Sequence, residues 1–221
     1  MHKNNGIFIC GTGTDAGKTY ISALLLKQLK ADGVNAAYYK AAMSGAMQTT
    51  GGASVTDCSY AAAFAGLDPS ACRVSYRYAA PVSPHLAARL EGMPSPQLER
   101  IVQDYQELAA AYDFVVAEGS GGIVCPLRCD SSGVLMQAGV IEALRLDTAL
   151  VSPCSLGSIN AAVLTTAYLR QKQIPLRGVI INRYTGGAMQ DDNIHMIELL
   201  CESPILTVVK EGQRSMLGFR F

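Results

Sequence analysis

The stretch Gly11-Thr12-Gly13-Thr14-Asp15-Ala16-Gly17-Lys18-Thr19 constrains this chain more than any other. An apolar run, Gly6–Cys10, precedes it, and a helix-periodic segment, Tyr20–Ala31, follows it. A glycine-rich turn between strand and helix can point several backbone N–H groups into one concavity. The amino end of the following helix adds partial positive charge, so donors and dipole together hold an anion such as a phosphate. Lys18 is spaced to reach the β- and γ-phosphates of a nucleoside triphosphate, and the Thr19 hydroxyl to ligate Mg²⁺. The strict pattern has glycine five residues before Gly17; that position is Thr12 here, and Gly11 lies one residue earlier, so the loop is a variant.

Further short apolar runs recur at Ala36–Tyr39, Phe114–Ala117, Thr148–Ser152 and Gly178–Ile181, with a sixth at Ile205–Val209. They are continuously apolar rather than alternating, as strands covered on both faces are. Helical periodicity separates them. Tyr20–Ala31 carries Ile21, Leu24, Leu25 and Leu29 on one stripe, and Gln97–Ala111, Ile159–Lys172 and Asp191–Cys201 are similar. The alternation predicts a single α/β domain over residues 1–221, with three layers: a mostly parallel central sheet and helices on both faces. Ligands of such sheets sit at the carboxyl ends of the strands. Ala41–Val55, rich in Gly, Ser, Thr and Ala, reads as a mobile loop, and Ala79–Pro96, with its prolines, as an irregular excursion.

Hydrophobic residues make up 49% of the chain and charged residues 16%, enough for a large core. A mean hydropathy of +0.19 leaves apolar surface for an oligomer interface. Lys+Arg and Asp+Glu are both 18, so no broad field attracts nucleic acid or an anionic membrane. No run is long enough for a membrane-spanning helix, and Met1–Gly6 has no signal-peptide core, so a cytoplasmic location is expected. The seven cysteines include no C-x-x-C pair and read as free cytosolic thiols.

A triphosphate site with Mg²⁺ needs a carboxylate from a neighbouring strand end. Glu118 closes the run Phe114–Ala117 and is followed by Gly119, Ser120, Gly121 and Gly122, which allow close backbone approach to a nucleotide. Asp57 is either a second metal ligand or the N-cap of a helix Cys58–Ala65. Lys40 ends the second predicted strand, which places a lysine on the sheet edge near the phosphates; Ser44 and Gly45 follow it in a turn. His85 reads as a helix-start residue rather than a general base.

Taken in order, these blocks resemble the dethiobiotin synthetase family: Gly11–Thr19, Tyr39-Lys40 with Ser44-Gly45, Thr56-Asp57, Pro81 with Ser83-Pro84-His85, Glu118–Gly122, Leu156-Gly157-Ser158-Ile159-Asn160, and Asn182. The loop alone is shared by many ATPases; the ordered set is far more specific. The resemblance implies an ATP- and Mg²⁺-dependent ligase that joins CO₂, supplied as bicarbonate, to the two amines of 7,8-diaminopelargonate. It implies catalysis by Lys18 and Lys40, and a nucleotide held by Asp15, Ala16, Gly17, Lys18, Thr19, Tyr20, Asp57, Glu118, Gly119, Ser120, Gly121, Asn182 and Arg183, with Asn182 at the adenine. Mg²⁺ would lie on Thr19, Asp57 and Glu118. The substrate would meet Thr14, Lys40 and Ser44 at its carbamate end. Its far carboxylate would meet Leu156, Gly157, Ser158, Ile159 and Asn160 of the second subunit of a homodimer.

The chain departs from the family pattern in places. Arg183 stands where an Asp commonly follows the asparagine, and Asp15 where Glu is common. Pro204–Lys210 lacks the usual Gly-x-Ile-Pro block, and Glu211–Phe221 matches little. Three other readings share the ATPase core. A partitioning ATPase carries an extra lysine early in the loop, and none occurs between Gly11 and Gly17. An amide-forming synthetase carries a glutaminase domain for which there is no room, and a non-catalytic nucleotide-binding regulator has no use for Lys40 and Ser44.

Overall fold

The computed structural model describes residues 5–45, 47–48 and 54–216. In chain order the elements are β1 (Gly6–Gly11), α1 (Lys18–Ala31), β2 (Ala36–Met43), β3 (Met47–Gln48), β4 (Ser54–Val55), α2 (Asp57–Ala65), β5 (Cys72–Arg77), α3 (Pro84–Glu91), α4 (Leu98–Ala111), β6 (Phe114–Glu118), β7 (Pro126–Asp130), β8 (Gly133–Met136), α5 (Gln137–Leu144), β9 (Thr148–Pro153), α6 (Ser158–Gln171), β10 (Leu176–Tyr184), α7 (Ala188–Cys201) and β11 (Ile205–Lys210). Seven strands form one sheet in the order β11-β10-β9-β1-β6-β2-β5, with every neighbouring pair parallel.

The pleat of β1 explains the three layers. Ile7 and Ile9 point to one face, where α1 and α2 supply Ile21, Leu24, Leu25 and Ala61. Phe8 and Cys10 point to the other, where Ile101, Ile141, Leu169 and Ile197 come from α4, α5, α6 and α7. Burial on both faces is why the strands read as unbroken apolar runs. Reversal of strand order on either side of β1 opens the crevice at its carboxyl end, and the glycine-rich loop sits there.

Several boundaries differ from the expectations. Ala41–Met43 continues β2 instead of beginning a loop, because β5 pairs with it as far as Met43 after the β6 pairing ends at Lys40. Beyond it β3 and β4 pair antiparallel; the rest of the expected mobile loop, Ala46 and residues 49–53, lies outside the described residues. The proline-rich excursion contains α3: Ser83 precedes it and Pro84 takes the first helical position, where a missing N–H costs no hydrogen bond. His85 falls in its first turn, with Nδ1 3.3 Å from the Pro126 carbonyl. Thr56, not Asp57, is the N-cap of α2; it accepts from the Ser59 N–H at 3.0 Å while Ser59 Oγ accepts from the Thr56 N–H at 2.8 Å. Asp57 is thereby freed to face the sheet. Strand β5 and the β7–β8 hairpin go beyond the sequence expectation: Cys72–Arg77 mixes polar and apolar residues because it is a sheet edge. The C-terminal segment folds back on α1. Met216 is buried against that face, and Tyr20 donates to the Gln213 carbonyl; residues 217–221 lie outside the described residues. No helix among the described residues is long and apolar enough to cross a membrane.

Candidate active site

At the carboxyl ends of β1, β2 and β6 a cavity of about 500 Å³ is lined by the loop residues Thr14, Asp15, Gly17, Lys18, Thr19 and Tyr20. Lys40, Ser44, Asp57, Glu118, Ser120, Gly121 and Arg183 complete the wall, with Thr56 and Tyr60. Residues that are far apart in sequence thus meet as the strand-end rule requires.

Two elements place the acidic oxygens, and a third, β2, places the groups that face them. Glu118 ends β6, is 1% exposed, and receives the Thr19 hydroxyl on Oε1 at 2.7 Å. Asp57, in the first turn of α2, receives the same hydroxyl on Oδ1 at 3.2 Å. Lys40, on β2 and 5% exposed, contacts Asp57 Oδ2 and lies 2.8 Å from Glu118 Oε1. Tyr38, two residues back on the same strand face, donates to Glu118 Oε2 at 3.0 Å. The carboxylate is therefore satisfied on both oxygens, as a buried charge must be.

The lysines feel opposite environments. Burial disfavours the Lys40 ammonium, but Glu118 and Asp57 outweigh that and raise its pKa. Burial lowers the pKa of Lys18, Glu118 partly restoring it and Lys40 pushing it further down. Lys18 Nζ donates to the Gly13 carbonyl at 2.9 Å, which folds the side chain back over the loop. Burial and the Glu118 charge hold the Tyr38 phenol well above its ordinary value, so it stays a donor.

The loop itself is held from outside. Gly17 is the N-cap of α1 at φ +92°, and no side chain caps that end, so the first-turn N–H groups face the cavity wall. Asn182 is 2% exposed and donates from Nδ2 to the Ala16 carbonyl at 3.0 Å, while its Oδ1 accepts from the Arg183 N–H at 2.9 Å. Asn182 does not line the cavity. Gly119 also lies behind it, with the Gln137 amide packed where a side chain would be; Gln137 Oε1 accepts from the Ser120 N–H at 2.6 Å and its Nε2 donates to the Gly122 carbonyl at 3.3 Å. Tyr38 and Gln137 are the functional residues that sequence reasoning missed. Tyr38 carried a usable signal, since strand period two puts it on the face of Lys40; Gln137 carried none.

Leu156–Asn160 are not brought to this cavity. Ser158 opens α6 with Gly157 as its N-cap at φ +87°, and no side chain caps that end. Leu156 is 91% exposed, and Ser158 Oγ is buried with no hydrogen-bond partner among the described residues. A second cavity, of about 540 Å³, lies on the other side of the loop, lined by Thr12, Ala16, Cys154, Ser155, Arg183 and Gln190 among others.

A glycine-rich loop opening a helix at the centre of a parallel sheet, with a strand-end carboxylate on its threonine, defines a nucleotide-binding α/β protein of the phosphate-loop class. The family model described as "AAA domain" matches residues 5–215. Solved structures with the same fold include a ParA family ATPase from Chlorobium tepidum, with TM-score 0.59, 15% identity and 96% of this chain and 86% of that chain covered. The MinC:MinD cell division complex of Aquifex aeolicus matches with TM-score 0.59 and 15% identity, over 95% of this chain and 83% of that one. Identities this low speak to the fold alone.

Sequence relatives are more specific. The chain is 41% identical to the ATP-dependent dethiobiotin synthetase BioD of Brachyspira hyodysenteriae, over 93% of this chain and 92% of that protein. It is 42% identical to that of Clostridium perfringens strain 13, over 93% and 90%. The chain belongs to the dethiobiotin synthetase family.

Proposed function

We propose that this chain is an ATP-dependent dethiobiotin synthetase: a ligase of biotin biosynthesis that makes dethiobiotin from 7,8-diaminopelargonate, CO₂ and ATP. One observation carries the reading beyond ATP binding. Lys40 is a buried, charged lysine at the end of a central strand, facing the phosphate loop across one cavity. Hydrolysis alone has no need of a second cation there; three converging anions do.

The chemistry follows from that charge layout. One substrate amine adds to CO₂ and loses a proton, giving a carbamate. A carbamate oxygen attacks the γ-phosphorus, the bond to ADP breaks, and a carbamic–phosphoric anhydride forms. The second amine attacks the carbonyl carbon and expels phosphate, closing the cyclic urea. Lys18 holds the phosphates. Lys40 holds the carbamate oxygen against the γ-phosphate and offsets charge as it moves to the leaving phosphate. Thr14 and Ser44 orient the carbamate end. Asp15, Ala16, Gly17, Tyr20, Gly119, Ser120, Gly121 and Arg183 border the nucleotide, and Asn182 meets the adenine with the bonding position left at each end of its amide.

Mg²⁺ fits the donor set. Thr19 Oγ1, Asp57 and Glu118 gather hydroxyl and carboxylate oxygens, the hard ligands this ion takes, and the Lys40 ammonium against both carboxylates shows that the pocket accommodates positive charge. When bound, the ion supplies neutralisation of the phosphate charge. The reading also takes the enzyme to be a cytoplasmic homodimer. The far carboxylate of the substrate then lies on Leu156–Asn160 of the second copy; the exposure of Leu156 and the uncapped amino end of α6 support this.

Phosphate release with MgATP and bicarbonate, with and without 7,8-diaminopelargonate and with mass detection of products, tests the reading. Diamine-dependent release and a dethiobiotin mass are expected. ATP hydrolysis indifferent to the diamine, with no new mass, would overturn it.

A further inference from the structure

We propose that Asn182 is a positioning residue: its amide pins the Ala16 carbonyl and thereby aims the Gly17 N–H into the phosphate cavity, so it governs binding of the triphosphate whatever base is attached. The inference rests on the triphosphate reading of the loop.

Orientation of the amide is fixed first. Arg183 adopts a left-handed φ of +59°, and β10 loses register with β11 between Ile181 and Tyr184. This conformation, uncommon outside glycine, brings the Arg183 N–H onto Asn182 Oδ1. Only the oxygen end of the amide can accept that bond, so Nδ2 must face the other way. There it meets the Ala16 carbonyl at 3.0 Å. The Asn182 backbone is held as well, its carbonyl accepting from the Cys154 N–H at 2.9 Å. The donor is therefore rigid before it touches the loop.

The consequence for the loop follows from peptide geometry. No described peptide bond is cis, so the carbonyl of Ala16 and the N–H of Gly17 point in opposite directions across one plane. Ala16 lines the outer cavity of about 540 Å³, whereas Gly17 lines the inner one with Lys18, Thr19 and Lys40. Pinning the carbonyl outward turns the N–H inward. The fit also explains Gly17 beyond its φ of +92°: a Cβ there would lie 2.0 Å from Asn182 Nδ2. An asparagine whose only task is to contact a base has no reason to pack this closely on the loop.

The test displaces a ribose-labelled fluorescent ATP with ATP, GTP, CTP and inorganic tripolyphosphate, in the wild type and in Asn182→Ala. Loss of the brace is expected to weaken every competitor that displaces the label from the wild type by about tenfold, inorganic tripolyphosphate included, with ATP losing its adenine contact in addition. It is also expected to speed amide hydrogen exchange across residues 13–19 without ligand. Asn182→Asp, nearly isosteric, keeps the acceptor for Arg183 but sets an oxygen against the Ala16 carbonyl; folded by circular dichroism, it should show the same loss with the competitors that carry no adenine. Weakening of ATP alone, or unchanged displacement in both variants, would overturn the proposal. A wild type that does not bind the labelled ATP would instead sink the triphosphate reading.

Discussion

Lys40 and Glu118 are register partners on the adjacent parallel strands β2 and β6, and their charged ends meet at 2.8 Å in a site from which solvent is almost excluded. Sheet register, not side-chain reach, therefore sets their distance. Lys40→Met should lower diamine-dependent phosphate release about a hundredfold or more while leaving nucleotide binding close to that of the wild type. It should also destabilise the ligand-free protein by about 3 kcal/mol, because Glu118 and Asp57 are left facing each other without a cation. Steady-state kinetics, labelled-nucleotide binding and urea unfolding check the three parts.

Tyr38→Phe removes the donor on Glu118 Oε2 and nothing else. A hydrogen bond to a buried carboxylate contributes about 2 kcal/mol, and that loss should appear as a lower urea midpoint with an unchanged slope. A midpoint equal to that of the wild type would mean that Glu118 finds another donor.

Gly119→Ala places a methyl 2.6 Å from Gln137 Oε1. The Gln137 amide must leave, releasing the Ser120 N–H and the Gly122 carbonyl. A loss of about 2 kcal/mol is expected, together with a higher KM for ATP, since Ser120 and Gly121 line the cavity. The double variant Gly119→Ala with Gln137→Ala should lose little more than the single one, and a thermodynamic cycle on unfolding would show it.

Alkaline unfolding should report on buried phenols. Burial pushes the Tyr105 pKa up to about 12, against about 10 in an unfolded chain. Because the folded value is raised, the neutral phenol's stabilising contribution is complete below pH 10 and is lost as pH rises toward 12. Unfolding free energy should fall over that window, and Tyr105→Phe should flatten the fall. Tyr78, also raised to about 12, and the buried Tyr38 and Tyr39, raised further by burial, retain the remainder. Equal slopes in the two proteins would contradict this.

The sequence made the buried strands legible because each is covered on both faces, as Ile7–Cys10 shows, and such coverage writes itself into the chain as a short, continuous apolar run. It made Lys18, Thr19 and Glu118 legible because each sits at a strand or helix end within two residues of glycine. What it hid depends on the third dimension. Cys72–Arg77 forms an edge strand whose pattern matches neither period cleanly. Pro84 begins a helix in a stretch that reads as a breaker-rich loop. Asp57 had two local readings, and only the Thr56–Ser59 box decides between them. Gln137 lies far along the chain from Gly119, and no spacing rule connects the two.

The place of β1 at the centre of the sheet has a consequence for synthesis. Its partners are Val115 to Glu118 on one side and Thr148 to Val151 on the other. A chain emerging from the ribosome therefore displays this fully buried strand more than a hundred residues before either of its edges can be paired. The segment bearing the phosphate loop is thus made well before the strands that secure it. The window in which a chaperone is most useful opens when β1 leaves the exit tunnel and closes only when β9 has done so.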